Sequence, residues 1–194
     1  MKTADLKKIR KSMEKELDAK RYEHTLGVAY TAAALAMCYD VDPIMAETAG
    51  LLHDCAKCLS DDKKISVCRK NNMEINAVEC RNPYLLHAKA GYCIAKSKFN
   101  IDDQDILNAI LNHTTGRPGM SRLEKIIYIA DYIEPSRKQA PNLPDVRKLA
   151  FRDLDQALLK ILSDILRYLE SGGGEIDPLT KETYDYYTDL LQNS

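Results

Sequence analysis

Apolar residues in this chain recur every three or four positions, the spacing that places them on one face of an α-helix. In the segment DLKKIRKSMEKEL, this stripe consists of Leu6, Ile9, Met13 and Leu17, with charged residues on the opposite face. The same periodicity predicts helices over residues 21–39, 43–57, 61–71, 84–98, 102–113, 121–133, 145–170 and 179–192. No window of alternating β-branched residues predicts a strand. The sequence therefore predicts an all-α fold.

The ends of the predicted helices carry residues that commonly cap helices. Asp42-Pro43 and Asp177-Pro178 each pair an N-cap with a proline at the first helical position, and Ser60 and Ser121 are also N-cap residues. Glycines at residues 171–175 stop the long penultimate helix, and residues 136–145, with two prolines, predict an ordered loop. A chain of 194 residues has room for one well-buried core and is short for two. We therefore expect residues 1–194 to form a single domain.

Composition and charge exclude several classes of protein. A net charge of -1 and a pI near 6.4 provide no global basic field, which argues against a protein built to hold a nucleic-acid backbone. The longest apolar run, residues 32–39, is too short to cross a bilayer, and no apolar stretch typical of a secretory signal follows the charged N-terminal segment. We expect a cytoplasmic protein with no nucleic-acid or membrane partner. The helix stripes and the tyrosines near the C-terminus allow a homodimer but do not require it.

The six cysteines include a C-x-x-C pair that raises two chemical alternatives. Cys55 and Cys58 supply half of a zinc site, but no second C-x-x-C or histidine pair completes it. A redox motif would follow a strand in a βαβ context, and that context is absent. We therefore interpret all six as reduced thiols, with the C-x-x-C pair as small packing residues.

The four histidines of the chain all fall on the apolar faces of predicted helices. They are His24, His53, His87 and His113. Asp54 and Asp131 also lie among apolar neighbours, where an ionised carboxylate is costly unless a cation or strong donors meet it. One inward histidine is most often a satisfied core residue. Four inward histidines with two inward carboxylates favour a common site.

Simpler explanations exist for each residue taken singly. Asp54 could form a salt bridge with Lys57 one turn along, and Asp131 could pair with Lys125 or Arg137. These pairs do not explain six metal-ligating groups on five predicted helices. Helical bundles build metal sites from inward side chains on facing helices, and four imidazoles with two carboxylates suit a pair of ions. Such a mixed ligand set favours iron, manganese or zinc over magnesium or calcium.

The order of these residues resembles a known superfamily. His24, then His53-Asp54, then Asp131 is similar to the H…HD…D signature of the HD-domain metal-dependent phosphohydrolases, and His87 and His113 resemble the additional ligands of its two-metal branch. The segment HDCAKCLS fits H-D-x-x-K. The block HTTGRPGMSRLEKIIYIADYIEPSR resembles the hallmark of the YqeK-like family, the symmetrical bis(5'-nucleosyl)-tetraphosphatases, over about residues 21–187. The triple glycine before Ile176 departs from that family's usual loop.

The resemblance implies an HD-type helical bundle with a buried two-metal site, and it implies the ligands. One ion would take His24, His53, Asp54 and Asp131; the other would take Asp54 as a bridge with His87 and His113. Two divalent ions are implied, with iron as the first choice and manganese or zinc as alternatives. The implied reaction splits diadenosine tetraphosphate into two ADP, by attack of a metal-bound hydroxide on a small-molecule nucleotide substrate.

Several residues beside the ligands would contact the substrate, most of them at phosphate, whereas the resemblance implies that Ile176 packs on a nucleobase. Asp54 and Lys57 are the expected catalytic residues, and the expected substrate contacts are His24, Lys57, Thr114, Gly116, Arg137 and Ile176. Arg137 has a planar donor fork suited to phosphate, whereas Thr114 and Gly116 offer a hydroxyl and backbone NH groups after a ligand histidine. A solvated Arg137 and a core role for Ile176 remain alternatives. Another HD phosphohydrolase activity on a nucleoside monophosphate, alarmone or cyclic dinucleotide also remains open, as does a non-catalytic regulatory module.

Overall fold

The helical prediction is confirmed by a computed structural model, which describes residues 5–193. These residues form eleven α-helices and one 3-10 helix and contain no strand. The helices are α1 (Leu6–Glu16), α2 (Ala19–Cys38), α3 (Pro43–Leu52), α4 (Asp61–Lys70), α5 (Ala77–Arg81), the 3-10 helix (Pro83–Leu86), α6 (His87–Lys98), α7 (Gln104–Asn112), α8 (Arg122–Ile133), α9 (Leu143–Ala150), α10 (Leu154–Gly172) and α11 (Pro178–Gln192). None of them is long and apolar enough to span a membrane.

The four predicted N-cap residues cap helices in the structure. The side chain of Asp42 accepts from Ile44 N, that of Asp177 from Leu179 N, and that of Ser60 from Lys63 N. Ser121 forms a reciprocal capping box with Glu124. These side chains satisfy backbone NH groups that have no partner inside the helix.

The helices differ from the prediction most clearly in three regions of the chain. The helix predicted over 43–57 ends at Leu52, and residues 53–58 form turns. The helix predicted over 145–170 is two helices, because Asp153 caps a new one by accepting from Gln156 N. The short α5 was not predicted; a capping box between Asn76 and Glu79 starts it.

A continuous apolar core runs from α1 to α11 and includes Met13, Leu52, Ile126, Ile161 and Tyr187. Helix α2 packs against α3 and α8, α7 packs against α3, α6 and α8, and α10 packs against α8, α9 and α11. This arrangement brings the ends of α3 and α7 and the start of α6 beside the second turn of α2 and the last turns of α8. The predicted ligand residues lie on these elements or directly after them.

Gly50 permits the close approach of α2 and α3. A Cβ atom at this position would lie 2.7 Å from Ala29 Cα and 3.0 Å from Ala29 N. Because both are backbone atoms, the two helices would have to separate. Gly50→Ala should therefore lower the free energy of unfolding by about 1–3 kcal/mol, the usual cost of overpacking.

Thermal unfolding followed by circular dichroism measures this effect. Gly172→Ala is the matched control, because nothing lies within 4 Å of the added Cβ, and its melting temperature should stay equal or rise slightly. Equal melting temperatures for Gly50→Ala and the wild type would show that the α2–α3 contact is not this tight.

Candidate metal centre

The four histidines are buried and converge on Asp54, which is itself only 2% exposed. His53 lies at the end of α3, His87 begins α6 and His113 lies at the end of α7, while His24 is inside α2. Asp131 is half-buried in the last turns of α8. The predicted inward orientation of the histidines is confirmed.

Three of these imidazoles are held in the same way by the backbone. His53 Nδ1 donates to Gly50 O at 2.7 Å, His87 Nδ1 to Tyr84 O at 2.8 Å, and His113 Nδ1 to Ile110 O at 2.7 Å. Each acceptor is the carbonyl three residues earlier in the chain. A carbonyl oxygen only accepts, so the ring proton sits on Nδ1 and Nε2 presents its lone pair to the centre of the site.

His24 is held by a carboxylate instead. Its Nδ1 donates to Glu134 Oε1 at 3.0 Å, and Glu134 is buried at 1% exposure. Ser136 fixes this carboxylate by donating its hydroxyl to Oε1 and its backbone NH to Oε2, each at 2.6 Å. Glu134 therefore orients His24 and raises its basicity, which is the usual role of a carboxylate behind a ligand histidine.

Asp54 lies between two groups of imidazoles. Its Oδ2 is 3.5 Å from His53 Nε2 and 3.9 Å from His24 Nε2, whereas its Oδ1 is 3.3 Å from His87 Nε2 and 3.6 Å from His113 Nε2. One carboxylate thus faces all four rings with two different oxygens. This is the arrangement that a bridging ligand requires.

The donor atoms fit divalent ions. Atoms bound to one ion at about 2.1 Å lie roughly 3–4 Å apart, and the distances around Asp54 fall in that range. So do the 3.0 Å between His24 Nε2 and Asp131 Oδ1 and the 3.1 Å between His87 Nε2 and His113 Nε2. In the described part of the chain, His24 Nε2, His53 Nε2 and Asp54 Oδ1 are buried without a hydrogen-bond partner. Buried atoms with an unshared lone pair are stabilised by a cation, so these three atoms favour a bound metal ion.

Two clusters of donor atoms close enough to hold an ion occur here, one of His24, His53 and Asp131 and one of His53, Asp54 and His113. The ligand sets implied by the resemblance differ slightly from these clusters: His53 belongs to both, and His87 lies beside the second. Divalent metal binding is thus supported by the residues themselves.

The electrostatics of the site keep the carboxylates ionised and one imidazole neutral. Burial opposes the charge on Asp54, but His53, His113 and Lys57 outweigh it and hold the pKa of the carboxyl well below its usual value. Burial, Lys57 and His113 lower the pKa of His87 to about 3, so its ring is neutral at pH 7. Neutral imidazoles and ionised carboxylates are the metal-binding forms.

Cationic side chains surround the same centre. Lys57 Nζ is 3.1 Å from His87 Nε2 and 3.8 Å from Asp54 Oδ1, so the Asp54–Lys57 pair that was considered as a simpler explanation is present, but within the site. Arg21 Nη1 donates to Asp54 Oδ2 at 2.7 Å, and Arg137 Nη2 donates to Asp131 Oδ1 at 2.8 Å. Of the two cations considered for Asp131, Arg137 makes the contact, whereas Lys125 pairs with Asp155.

A cavity of 1340 Å³ opens onto this centre. Of the expected substrate-binding residues, His24, Lys57, Thr114 and Arg137 line it, and Thr114 Oγ1 lies 3.2 Å from His87 Nε2. Gly116 and Ile176 do not line it. Gly116 turns the chain at φ +67° against Thr183, where a Cβ would lie 2.7 Å from that side chain. Ile176 precedes Asp177, which accepts from Asn76 Nδ2.

Sequence reasoning did not assign Arg21 and Glu134 to the site. Each lies one helical turn from a candidate ligand, Arg21 before His24 and Glu134 after Asp131, and that i, i+3 spacing was the available signal. The two cysteines of the C-x-x-C pair have different environments. Cys55 is buried against Gly91 O, whereas Cys58 is exposed and contacts Asp18 Oδ2. The packing interpretation was therefore wrong for Cys58.

Comparison with known proteins agrees with this geometry. The model of the HD domain family matches residues 21–136. The chain is 38% identical to the symmetrical bis(5'-nucleosyl)-tetraphosphatase of Bacillus subtilis (strain 168), over 90% of this chain and 92% of that protein. It is 40% identical to the protein of the same name from Halalkalibacterium halodurans, over 85% of this chain and 87% of that protein.

A solved structure has the same fold. It is the crystal structure of a predicted HD superfamily hydrolase involved in NAD metabolism from Clostridium acetobutylicum, with a TM-score of 0.92 and 45% sequence identity. The match covers 95% of this chain and 97% of that one.

Proposed function

The chain belongs to the HD domain family and, within it, to the symmetrical bis(5'-nucleosyl)-tetraphosphatases, and we propose from this that it hydrolyses diadenosine tetraphosphate to two ADP. The observation that carries the proposal is the set of four imidazoles, each with Nδ1 already bonded and Nε2 facing Asp54 or Asp131. Such a centre beside Lys57 and Arg137 suits phosphoanhydride hydrolysis.

We propose that His24, His53, Asp54 and Asp131 hold one divalent ion and that Asp54, His87 and His113 hold the other. When bound, two such ions would lower the pKa of a water molecule and neutralise charge on phosphate oxygens. Iron is our first choice, with manganese and zinc as alternatives, because imidazole with carboxylate ligation suits all three.

The side chains around the centre would position the substrate. Arg137 uses Nε and Nη2 on Asp131, so Nη1 is left to donate to a phosphate oxygen. Lys57 and the Thr114 hydroxyl lie beside His87 and would donate to the phosphate next to the scissile bond. The departing nucleoside diphosphate is a stable anion at neutral pH, so these residues supply compensating charge rather than a proton.

We assign Asp54 and Lys57 as catalytic residues. Asp54 would fix the two halves of the centre relative to each other, and Lys57 would neutralise charge that develops on the leaving phosphate. His24 would also border the bound phosphate. Gly116 and Ile176 remain proposed substrate contacts on the resemblance alone.

We also propose that residues 1–194 form one HD-type domain, which the continuous core from α1 to α11 supports. The six cysteines are free thiols, the state that a reducing compartment maintains, and this supports a cytoplasmic location. A small nucleotide is the proposed partner, and a homodimer is compatible with the exposed aromatic residues.

Glu134→Gln tests the carboxylate behind His24. Glutamine keeps the shape but loses the charge, and its single carbonyl oxygen can take the place of Oε1, which accepts from His24 Nδ1, or of Oε2, which accepts from the Ser136 NH, but not of both. Metal affinity should fall about 10- to 100-fold, the usual effect of removing such a partner. Competition with a chelator measures the dissociation constant; Glu182→Gln, on the exposed face of α11, is the control. Equal affinities for Glu134→Gln and wild type would show that Glu134 does not support the ligand.

Product identification tests the proposed reaction. Metal-loaded protein incubated with diadenosine tetraphosphate should form ADP as the adenine product, separated by ion-exchange chromatography. Formation of ATP with AMP, or no turnover with iron, manganese or zinc, would contradict the proposal.

A further inference from the structure

The cavity continues past the metal centre into a groove between α8 and α10. Tyr128 and Tyr132 lie one turn apart on α8, and Ile161, Ile165 and Tyr168 follow one face of α10; all five line the same cavity as His24 and Arg137. We call these five residues the α8–α10 groove. Since α10 rises about 1.5 Å per residue, the stretch from Ile161 to Tyr168 is roughly 10 Å long, close to the length of a nucleoside.

The walls of this groove are apolar and aromatic. The exposure of the side chains increases from a buried end to an open end. Ile161 is fully buried and Tyr128 is 3% exposed, whereas Tyr168 is 70% exposed at the mouth. Tyr132 is half-buried, and its hydroxyl donates to Pro141 O in the loop that follows α8. Flat aromatic surfaces of this kind stack on nucleobases.

Two polar features of the groove distinguish a nucleoside from a phosphate. The Tyr128 hydroxyl is buried and has no hydrogen-bond partner among residues 5–193. The Asp164 carboxylate also borders the cavity and is held by Asn142 Nδ2 and Lys160 Nζ. An unused hydroxyl and a nearby carboxylate suit the polar atoms of an uncharged base or ribose and disfavour an anion.

The substrate of the proposed reaction carries a nucleoside at each end of its tetraphosphate, so one subsite is needed on each side of the metal centre. We propose that the α8–α10 groove binds one of the two nucleosides, with its base against Tyr168 and Ile165 and a polar atom on the Tyr128 hydroxyl. Arg137 lies where the groove meets the metal centre and would hold the connecting phosphate. This inference rests on the proposed function.

Fluorescence gives a direct test, because the chain contains no tryptophan. Tyr168→Trp places a single indole at the mouth of the groove, and Tyr30→Trp places one on an exposed part of α2 outside the cavity lining. The probe is a diadenosine tetraphosphate analogue with a methylene in place of the central bridging oxygen, added to metal-loaded protein. We expect saturable quenching of Trp at position 168 and none at position 30, and no quenching by inorganic triphosphate.

Kinetics supply the second test. Tyr168→Ala should raise KM for diadenosine tetraphosphate by about fivefold, which corresponds to the lower end of the free energies measured for stacking of a base on an aromatic side chain. The kcat of this variant should stay within about twofold of the wild-type value. Tyr168→Phe keeps the ring and should behave as wild type.

The outcomes separate the two proposals. A wild-type protein that forms ADP while the indole at position 168 is not quenched, or is quenched equally by inorganic triphosphate, overturns the groove as a nucleoside site. An unchanged KM for Tyr168→Ala does so as well. Wild-type protein that forms no ADP overturns the proposed function itself.

Discussion

Asp54→Asn should lower turnover of diadenosine tetraphosphate about 1000-fold, ~4 kcal/mol of transition-state stabilisation, and should leave less than one metal per chain. The reason is the position of this carboxylate, whose Oδ2 faces His24 and His53 and whose Oδ1 faces His87 and His113. Asparagine has the same shape but offers one neutral acceptor oxygen. It therefore cannot bridge two cations.

Steady-state kinetics and metal quantitation by mass spectrometry measure both effects. Asp62→Asn, an equal change on the exposed first turn of α4, is the matched control and should keep wild-type turnover and metal content. An Asp54→Asn variant that retained both metals and a tenth of wild-type turnover would refute the bridging role.

His87→Ala should abolish most turnover while leaving one metal in place. His87 lies beside His113 and Asp54 Oδ1 and does not belong to the cluster of His24, His53 and Asp131, which keeps all of its donor atoms. We expect a loss of at least about 100-fold in kcat with metal content falling from two ions toward one.

His24→Ala provides the comparison for His87→Ala, because it removes a ligand from the other cluster. Circular dichroism should show that both variants are folded, since the core from α1 to α11 is not altered. Two ions retained by His87→Ala, or turnover close to that of wild type, would show that this histidine is not a metal ligand.

The sequence was sufficient to predict the helices because their stripes and caps are local. Asp42, Ser60, Ser121 and Asp177 cap helices through side chains that bond within three residues. The apolar stripe could not reveal the break between the two helices at Phe151. Apolar residues continue at helical spacing from Val146, before the break, to Leu154, after it. Only the Asp153 cap marks the new helix.

The sequence was sufficient to predict that the candidate ligands lie together, but not which residues support them. Inward histidines are visible from helical periodicity, whereas the contact between His24 and Glu134 joins residues 110 positions apart, and that between Arg21 and Asp54 joins residues 33 apart. The carbonyls that hold His53 and His113 become acceptors because α3 and α7 end there. The positions of those helix ends depend on tertiary packing. Packing ends α3 at Leu52, although the apolar pattern of the sequence predicts that the helix continues.

We propose that the Asp54-centred site splits the central anhydride of a dinucleoside tetraphosphate with water. Hydrolysis of diadenosine tetraphosphate in ¹⁸O-labelled water, followed by mass spectrometry and phosphorus NMR, tests it most directly. Attack on either inner phosphorus predicts ADP alone, with half of the ADP molecules carrying one ¹⁸O on the β-phosphate. Label in ATP or AMP, or a complete absence of label from the ADP, would contradict this proposal.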